Sequence, residues 1–356
     1  MSAINVTSLQ RAAEKYQKDF MLLPYALLIP ALRELKLSML EVDNRDIVIV
    51  KERAGGAVRP YVAGGSVNYK AEVSRLIERT LQTETAVAVV KDNVTNYKEK
   101  RVLYDAEKDK LNNKTKQHPL ERDIIADIVS IVGEDIIDAL FFAERNVSDQ
   151  SPMGMADGYN TLIDKFIMSG DISSGKGNLV NCGSLASPGS GSTTTAFISL
   201  RDWLRHIDPK WRNKQVVLYI PNNALINVKD ALENKKTSYK DVSFASVLTQ
   251  LREDCAIPNL QIVSHYSLGT GDRLVLTEPG NFDLGMNTFS DVGFVQVRNP
   301  YEDANEVQFW NQFDIGMRIK KLHKRGFMVS DGTSTSNPLS GDYGNDGSGS
   351  GSGSAS

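Results

Sequence analysis

Two cysteines in 356 residues are too few for a disulfide framework. Cys182 and Cys255 also lack the paired spacing of a zinc site, so buried or surface thiols in the reduced state are expected. Histidine is equally scarce. His118, His206, His265 and His323 are dispersed, with no HExxH or Cys/His pattern, and predict structural roles rather than a metal site. Long hydrophobic runs are missing too. The most apolar stretch, 21–40, is interrupted by Pro24 and Pro30 and then by Arg33, Glu34 and Lys36, whereas a bilayer span needs roughly 20 apolar residues with few charges. The N-terminus lacks the basic-then-apolar layout of a secretory signal, which predicts a protein that acts where it is made, or in a particle assembled there. Nor does one sign of charge dominate: 41 Lys and Arg against 44 Asp and Glu give a net charge of −3. That balance supplies no global basic field for nucleic acid or an anionic membrane.

The motifs of common chemistry fail at named residues. Residues 170–177, GDISSGKG, approach the phosphate-cradling GxxxxGK[ST] loop, but Gly177 stands where a hydroxyl must bind magnesium. The loop also follows a helical pattern and opens no helix of its own, so the anion-binding N-terminus is absent. Residues 342–347 resemble the start of a calcium loop, yet Gly344 and Gly353 occupy ligand positions that require oxygen side chains. There is no GxSxG elbow and no nucleophile signature around either cysteine. The expectation is therefore no catalytic, cofactor-binding or metal-binding residues, and no enzyme. Two features carry charge without a motif. The acids of 119–146, among them Asp123, Asp127, Glu134 and Asp138, read as the wet face of a helix. Arg318, Lys320, Lys321, Lys324 and Arg325 could touch double-stranded DNA through its phosphates, or equally serve as edge-strand cations that discourage aggregation.

What the chain does contain is a distinctive order of elements. Residues 1–44 read as an arm, bent by its two prolines, that packs on its own core or on a neighbour. Residues 45–92 hold two strand-like legs, 47–50 and 85–90, around a polar excursion punctuated by Gly55, Gly56, Gly64 and Gly65. A connection this long is usually functional, and it predicts an extended loop. Residues 96–118, dense in Lys, Asp, Glu and Asn, read as a solvated helix or linker. Then Ile124, Ile125, Ile128, Val132, Ile136, Leu140 and Ala143 recur at three- and four-residue steps and predict a spine helix over about 119–146. A Gly-, Ser- and Thr-rich loop leads into alternating helices and strands: helix 196–207, strand 215–220, helices 223–234 and 243–254, strand 259–263, and a hairpin around 269–272. Asn222, Asn223 and Ser243 are the candidate N-caps. From Val307, apolar and polar residues alternate strictly over roughly 14 residues, which predicts one long strand with a wet face. A last strand lies at 327–329, and the Gly/Ser-rich segment 333–356 is expected to be disordered.

This layout, together with QVVLYIPNNALI at 215–226, the Leu-Gly-Thr-Gly within 263–277 and the strand from Val307, resembles the major capsid proteins of tailed bacteriophages. The resemblance implies an α+β chain of the Hong Kong 97-type fold: N-terminal arm 1–44, extended loop 45–92, peripheral domain in two parts (93–170 and 286–332), and an α/β axial domain at 171–285. It further implies a virion capsid protein, assembled in the bacterial host cytoplasm. The chain would partner itself in pentamers and hexamers, work with portal and scaffolding proteins, contact packaged double-stranded DNA non-specifically, and involve no membrane. An encapsulin-like nanocompartment shell around enzyme cargo is the nearest alternative. A soluble α/β enzyme and a tail-tube subunit are more distant ones.

Overall fold

The computed structural model describes residues 6–53, 74–93, 120–183, 185–186, 195–235, 242–287, 295–298, 306–332 and 334–335. The linker 96–118, His118, the glycines at 55–65, residues 342–347 and the Gly/Ser repeat fall outside them. The framework is a pair of helices. Helix α1 (Val6–Glu34) lies along α2 (Leu120–Phe142), the expected spine. On α2 the apolar face, Ile125, Val129, Val132, Ile136 and Leu140, is buried, and Glu121 and Asp123 sit in the first turn, where a carboxylate complements the helix dipole. At 1.5 Å per residue α2 spans about 35 Å. It stops short of residue 146 because the carbonyl of Ala143 is taken by the Gly158 amide and the Thr161 hydroxyl, both at 2.7 Å.

The prolines of the arm do not divide it: α1 is one helix through Pro24 and Pro30. Each proline removes one backbone donor, but the helix is held on both sides of them. Leu9, Ala12 and Ala13 are buried with Ile124, Ile125 and Val129, while Leu28, Ala31 and Leu32 join the main core with Val132, Ile136 and Leu140. The arm's described helix therefore packs on its own subunit.

The main sheet runs in the order β1 (Ser38–Glu41), β9 (Phe282–Met286), β11 (Glu306–Ile319), β10 (Gln296–Arg298), with β4 (Glu84–Asn93) also paired to β11. Between β1 and β4 come β2 (Arg45–Arg53) and β3 (Ser74–Gln82), which among the described residues pair only with each other. This changes the expected loop. The second leg is 74–82, and residues 85–90 belong instead to β4, antiparallel to β11 over Glu84–Asn93. On β11, Val307, Phe309, Phe313, Ile315, Met317 and Ile319 are buried as the alternation requires.

A second sheet, in the order β12 (Phe327–Ser330), β8 (Leu274–Thr277), β5 (Val216–Tyr219), β6 (Leu260–Val263), is flanked by α4 (Thr195–Arg205), α5 (Asn222–Lys235) and α6 (Phe244–Cys255). Helix α3 (Tyr159–Met168) packs on α2. The α/β unit thus takes β12 from beyond the long strand and gives up β9 to the main sheet, because strand pairing follows register rather than chain order. Ser243 caps α6, its hydroxyl accepting from the Ser246 amide at 3.2 Å. Asn222 and Asn223 do not cap α5. They bond Ser264 and the backbone of Gly271 instead. The turn at 269–272 is no local hairpin: β7 (Thr270–Gly271) pairs with β13 (Ser334–Thr335).

The two sheets meet at an aromatic junction. Tyr159 stacks on Phe282 (4.6 Å between centroids), and Phe141 and Tyr219 close the group at 5.4 and 5.1 Å from Tyr159 and Phe282 respectively. Tyr219 donates its hydroxyl to the Leu35 carbonyl at 2.6 Å, tying β5 to the end of the arm. Burial pushes both tyrosines' pKa values up, and the Asp283 charge adds to the effect on Tyr159. Replacing Tyr219→Phe leaves that carbonyl without its donor and is expected to destabilise the subunit by about 1–3 kcal/mol, read from denaturant midpoints.

Candidate functional site

The feature that stands out from this framework is the β2–β3 hairpin. Because, among the described residues, its two strands pair only with each other, alternate side chains fall on two faces. One face, with Val48, Val50, Ile77 and Leu81, is turned toward the body and is buried or half-buried. The other is exposed along its whole described length: Arg45, Ile47, Ile49 and Lys51 on β2, and Leu76, Glu78, Thr80 and Gln82 on β3. Three large apolar side chains lie on that exposed face, Ile47 at 46%, Ile49 at 58% and Leu76 at 60% accessible. A sheet face this rich in exposed apolar residues marks an interaction surface. On the adjoining β4, Val87 and Val89 are also exposed.

The hairpin leaves the body over a flat spot. Gly285 and Gly316 are registered partners on β9 and β11. A Cβ on Gly285 would overlap the Leu81 side chain, and one on Gly316 would overlap the Gln82 carbonyl. Only glycine lets the hairpin root cross so close. Around this crossing lies a buried ion network. Arg318, 2% exposed, donates to the fully buried Asp283 at 2.7 and 3.1 Å and to the Asp46 carboxylate at 2.9 Å. The same guanidinium reaches the Arg79 carbonyl at 3.5 Å, so it holds both hairpin strands. Lys320 supplies Asp283 with a second cation at 2.8 Å. On the far side of β3, Arg79 pairs with Asp171 at 3.1 Å and lies over the Phe166 ring at 5.0 Å.

The residues singled out in the sequence find other partners. In the phosphate-loop look-alike, Lys176 is paired with Asp171 at 3.2 Å and Gly177 closes a short turn with φ of 70°. Burial pushes the Asp171 carboxyl up, but the hydrogen bonds and charges of Arg79 and Lys176 outweigh it and hold it below the ordinary value. The basic run near 320 is not a free cationic strip. Arg318 and Lys320 serve Asp283, Lys321 pairs with Glu278, and Arg325 lies 3.5 Å from Asp208, whereas Lys324 is exposed. Asp127 and Glu134 face water, but Asp138, at 6% exposure, does not. It bonds Tyr266, whose hydroxyl is pushed up to about 12, first by burial and then by the Asp138 charge. His206 is exposed. His265 and His323 each use Nδ1 locally, to Ser267 and to the Arg325 amide. Both cysteines are buried, which raises their pKa values, Cys255 to about 11. Among the described residues no group of three or more His, Cys, Asp or Glu is placed to hold a metal ion, and no helix is long and apolar enough to cross a membrane.

The sequence matches no family model and no curated protein. Solved structures do resemble it. The capsid of a native GTA particle aligns over 86% of this chain and 96% of its own, with a TM-score of 0.51 and 11% identity. The procapsid of satellite phage P4, which includes a size determination protein, aligns over 86% and 89%, with a TM-score of 0.50 and 11% identity. A virus-like particle from Pyrococcus furiosus aligns over 87% and 98%, with a TM-score of 0.44 and 11% identity. The fold is the Hong Kong 97-type capsid fold. The expected α+β class holds, and the spine helix, the long strand and the α/β unit are its described parts.

Two predictions follow from the hairpin root. Arg318→Met leaves the buried Asp283 with Lys320 as its one cation and releases Asp46 and the Arg79 carbonyl, and is expected to cost about 3 kcal/mol. Lys324→Met, at the surface, should stay within about 0.5 kcal/mol, with thermal unfolding of the soluble subunit as the measurement. The second concerns acid. Because Asp171 is held below the ordinary carboxylate value, its contribution is complete above about pH 4 and is lost as pH falls through the lowered folded value. Asp171→Asn is therefore expected to flatten the acid side of the stability curve, as seen in urea midpoints measured down the acid range.

Proposed function

We propose that this chain is a major capsid protein of a tailed phage, a structural subunit that assembles with copies of itself into pentamers and hexamers and then into a closed head around DNA. The exposed apolar face of the β2–β3 hairpin is the observation that carries the reading. A monomer gains nothing by leaving Ile47, Ile49 and Leu76 half in water, whereas burying the exposed half of each on a neighbour is worth about 1 kcal/mol. The hairpin is bound at its root and free along its outer face, the form an arm takes when it reaches across to another copy. Such a contact is heterologous, one patch meeting a different patch, and repeated around an axis it closes into rings.

In this reading the hairpin is the extended loop, α2 with the main sheet is the peripheral domain, and the α/β unit is the axial domain clustered at the five- and six-fold positions. Portal and scaffolding partners, and assembly in the host cytoplasm, come with the reading. The fold is shared with the capsid chains of the GTA particle and of the satellite phage P4 procapsid, which supports a structural rather than a catalytic role.

The test is the triple variant Ile47→Ser, Ile49→Ser, Leu76→Ser. All three side chains are exposed, so the subunit should unfold within about 0.5 kcal/mol per site of the parent. Shell formation, followed by light scattering and negative-stain microscopy, should be lost. Normal shells from the triple variant would overturn the assignment of this face. Particles purified with enzyme cargo inside, instead of DNA and a portal, would turn the reading to a nanocompartment.

A further inference from the structure

A cationic notch opens where the hairpin, the α/β unit and the link between β11 and β12 meet. It encloses about 300 Å³ and is walled by Lys51 from β2, Lys210 and Lys214 from the loop before β5, and Lys321 and Arg325 from the link. These three segments are distant in sequence, and the fold brings their cations to one place. Five cations there face only Glu52 and Glu278 on the walls and Asp208 beside them. In a chain whose net charge is −3, this is a local reversal of sign.

The cations divide into two kinds. Arg325 is paired with Asp208, and a single carboxylate, Glu278, serves two lysines, Lys214 on Oε1 at 2.9 Å and Lys321 on Oε2. Burial pushes the Glu278 carboxyl up, but the hydrogen bonds of Lys321 and Lys214 win and keep it below the ordinary value. Both of its oxygens are committed. An ammonium has three donors, so Lys214 and Lys321 each keep donors after that bond. Lys51 and Lys210 are exposed and have no acidic partner within 4 Å among the described residues.

We propose that the notch is a phosphate-binding site. Its lysines are point charges on flexible stems arriving from three sides, which suits a tetrahedral oxyanion with several oxygens. A carboxylate group is met best by the planar fork of an arginine, and the one arginine here is already engaged. Among the described lining residues the only ring is His323, whose Nδ1 accepts from the Arg325 amide, and no Phe, Tyr or Trp offers a stacking platform, which favours backbone phosphate over base readout. A phosphate seated there would touch the hairpin and the α/β unit at once. Inorganic phosphate and the backbone of duplex DNA present the same chemistry. The site is independent of whether the chain builds shells.

The experiment uses the full chain as soluble subunit, titrated calorimetrically with inorganic phosphate and, separately, with a short DNA duplex, at matched ionic strength in sodium chloride. The comparison protein is Lys51→Gln with Lys210→Gln, both exposed residues whose loss leaves Glu278 fully paired. Saturable phosphate binding that weakens at least tenfold in the double variant is the expected result. If the duplex displaces phosphate, the nucleic-acid backbone is the source the site takes; if it does not, free phosphate is. Absence of saturable binding by either probe would overturn the proposal. Equal binding by parent and variant, or binding of poly-glutamate alone, would overturn it as well.

Discussion

Arg318 and Asp283 form a charge pair that the hairpin root cannot do without. Both are removed from water, and each charge would be expensive to bury alone. A single guanidinium has enough donors to serve the core sheet through Asp283 and the hairpin through Asp46 and the Arg79 carbonyl. The result is a lever fixed at one end. Hydrophobic packing alone could not do the same work, because on the body-facing side only Val50 and Leu81 are fully buried, with Val48 and Ile77 half-buried. A directional ion network sets how the hairpin leaves the body, and packing alone would set only that it touches the body.

The paired glycines complete this arrangement. With side chains at 285 and 316 the root of β3 would be lifted from the sheet, and the Arg318 guanidinium would lose its reach to Asp46. Arg79 then secures the opposite flank by pairing with Asp171 and covering Phe166. The segment that looks like a nucleotide loop is thus a bracket for the hairpin: its lysine and its aspartate neutralise each other while the aspartate holds Arg79.

Much of this fold was legible, and the gaps have physical causes. The spine and β11 declare themselves because each buries one face against a wet one, and that asymmetry is what periodicity records. The α/β unit was legible through the Ser243 cap and its short buried strands, whereas Asn222 and Asn223 turned out to bond Ser264 and Gly271 instead. The hairpin was not, and the reason is instructive. On β2 the run Ile47, Val48, Ile49, Val50 is apolar at every position, so no alternation separates inside from outside. On β3, Leu76 sits on the exposed face beside Ile77 on the inner one, and the pattern is lost again. Arg318 was misread for the opposite reason. Alternation put it on the wet face of β11, but that face stops being wet where the hairpin crosses it. Gly316, two residues earlier on the same face, is the one local sign of a close backbone approach.

The erased alternation is itself evidence about function. In an isolated two-stranded ribbon, one face turned to solvent ought to be polar, since nothing selects for isoleucine in water. Here Ile47, Ile49 and Leu76 share the solvent face with Arg45 and Lys51 on β2 and with Glu78, which lies opposite Ile49 on β3. That is a mixed surface, apolar side chains interleaved with charges, of the kind that meets a partner rather than bulk water alone. A hairpin of this kind is marginal on its own. In the proposed reading its ion-paired root keeps it ordered until a neighbour arrives, while its apolar face stays uncovered until then. Strength at the root and emptiness along the outer face are two halves of one requirement, and a monomeric protein has no use for the second.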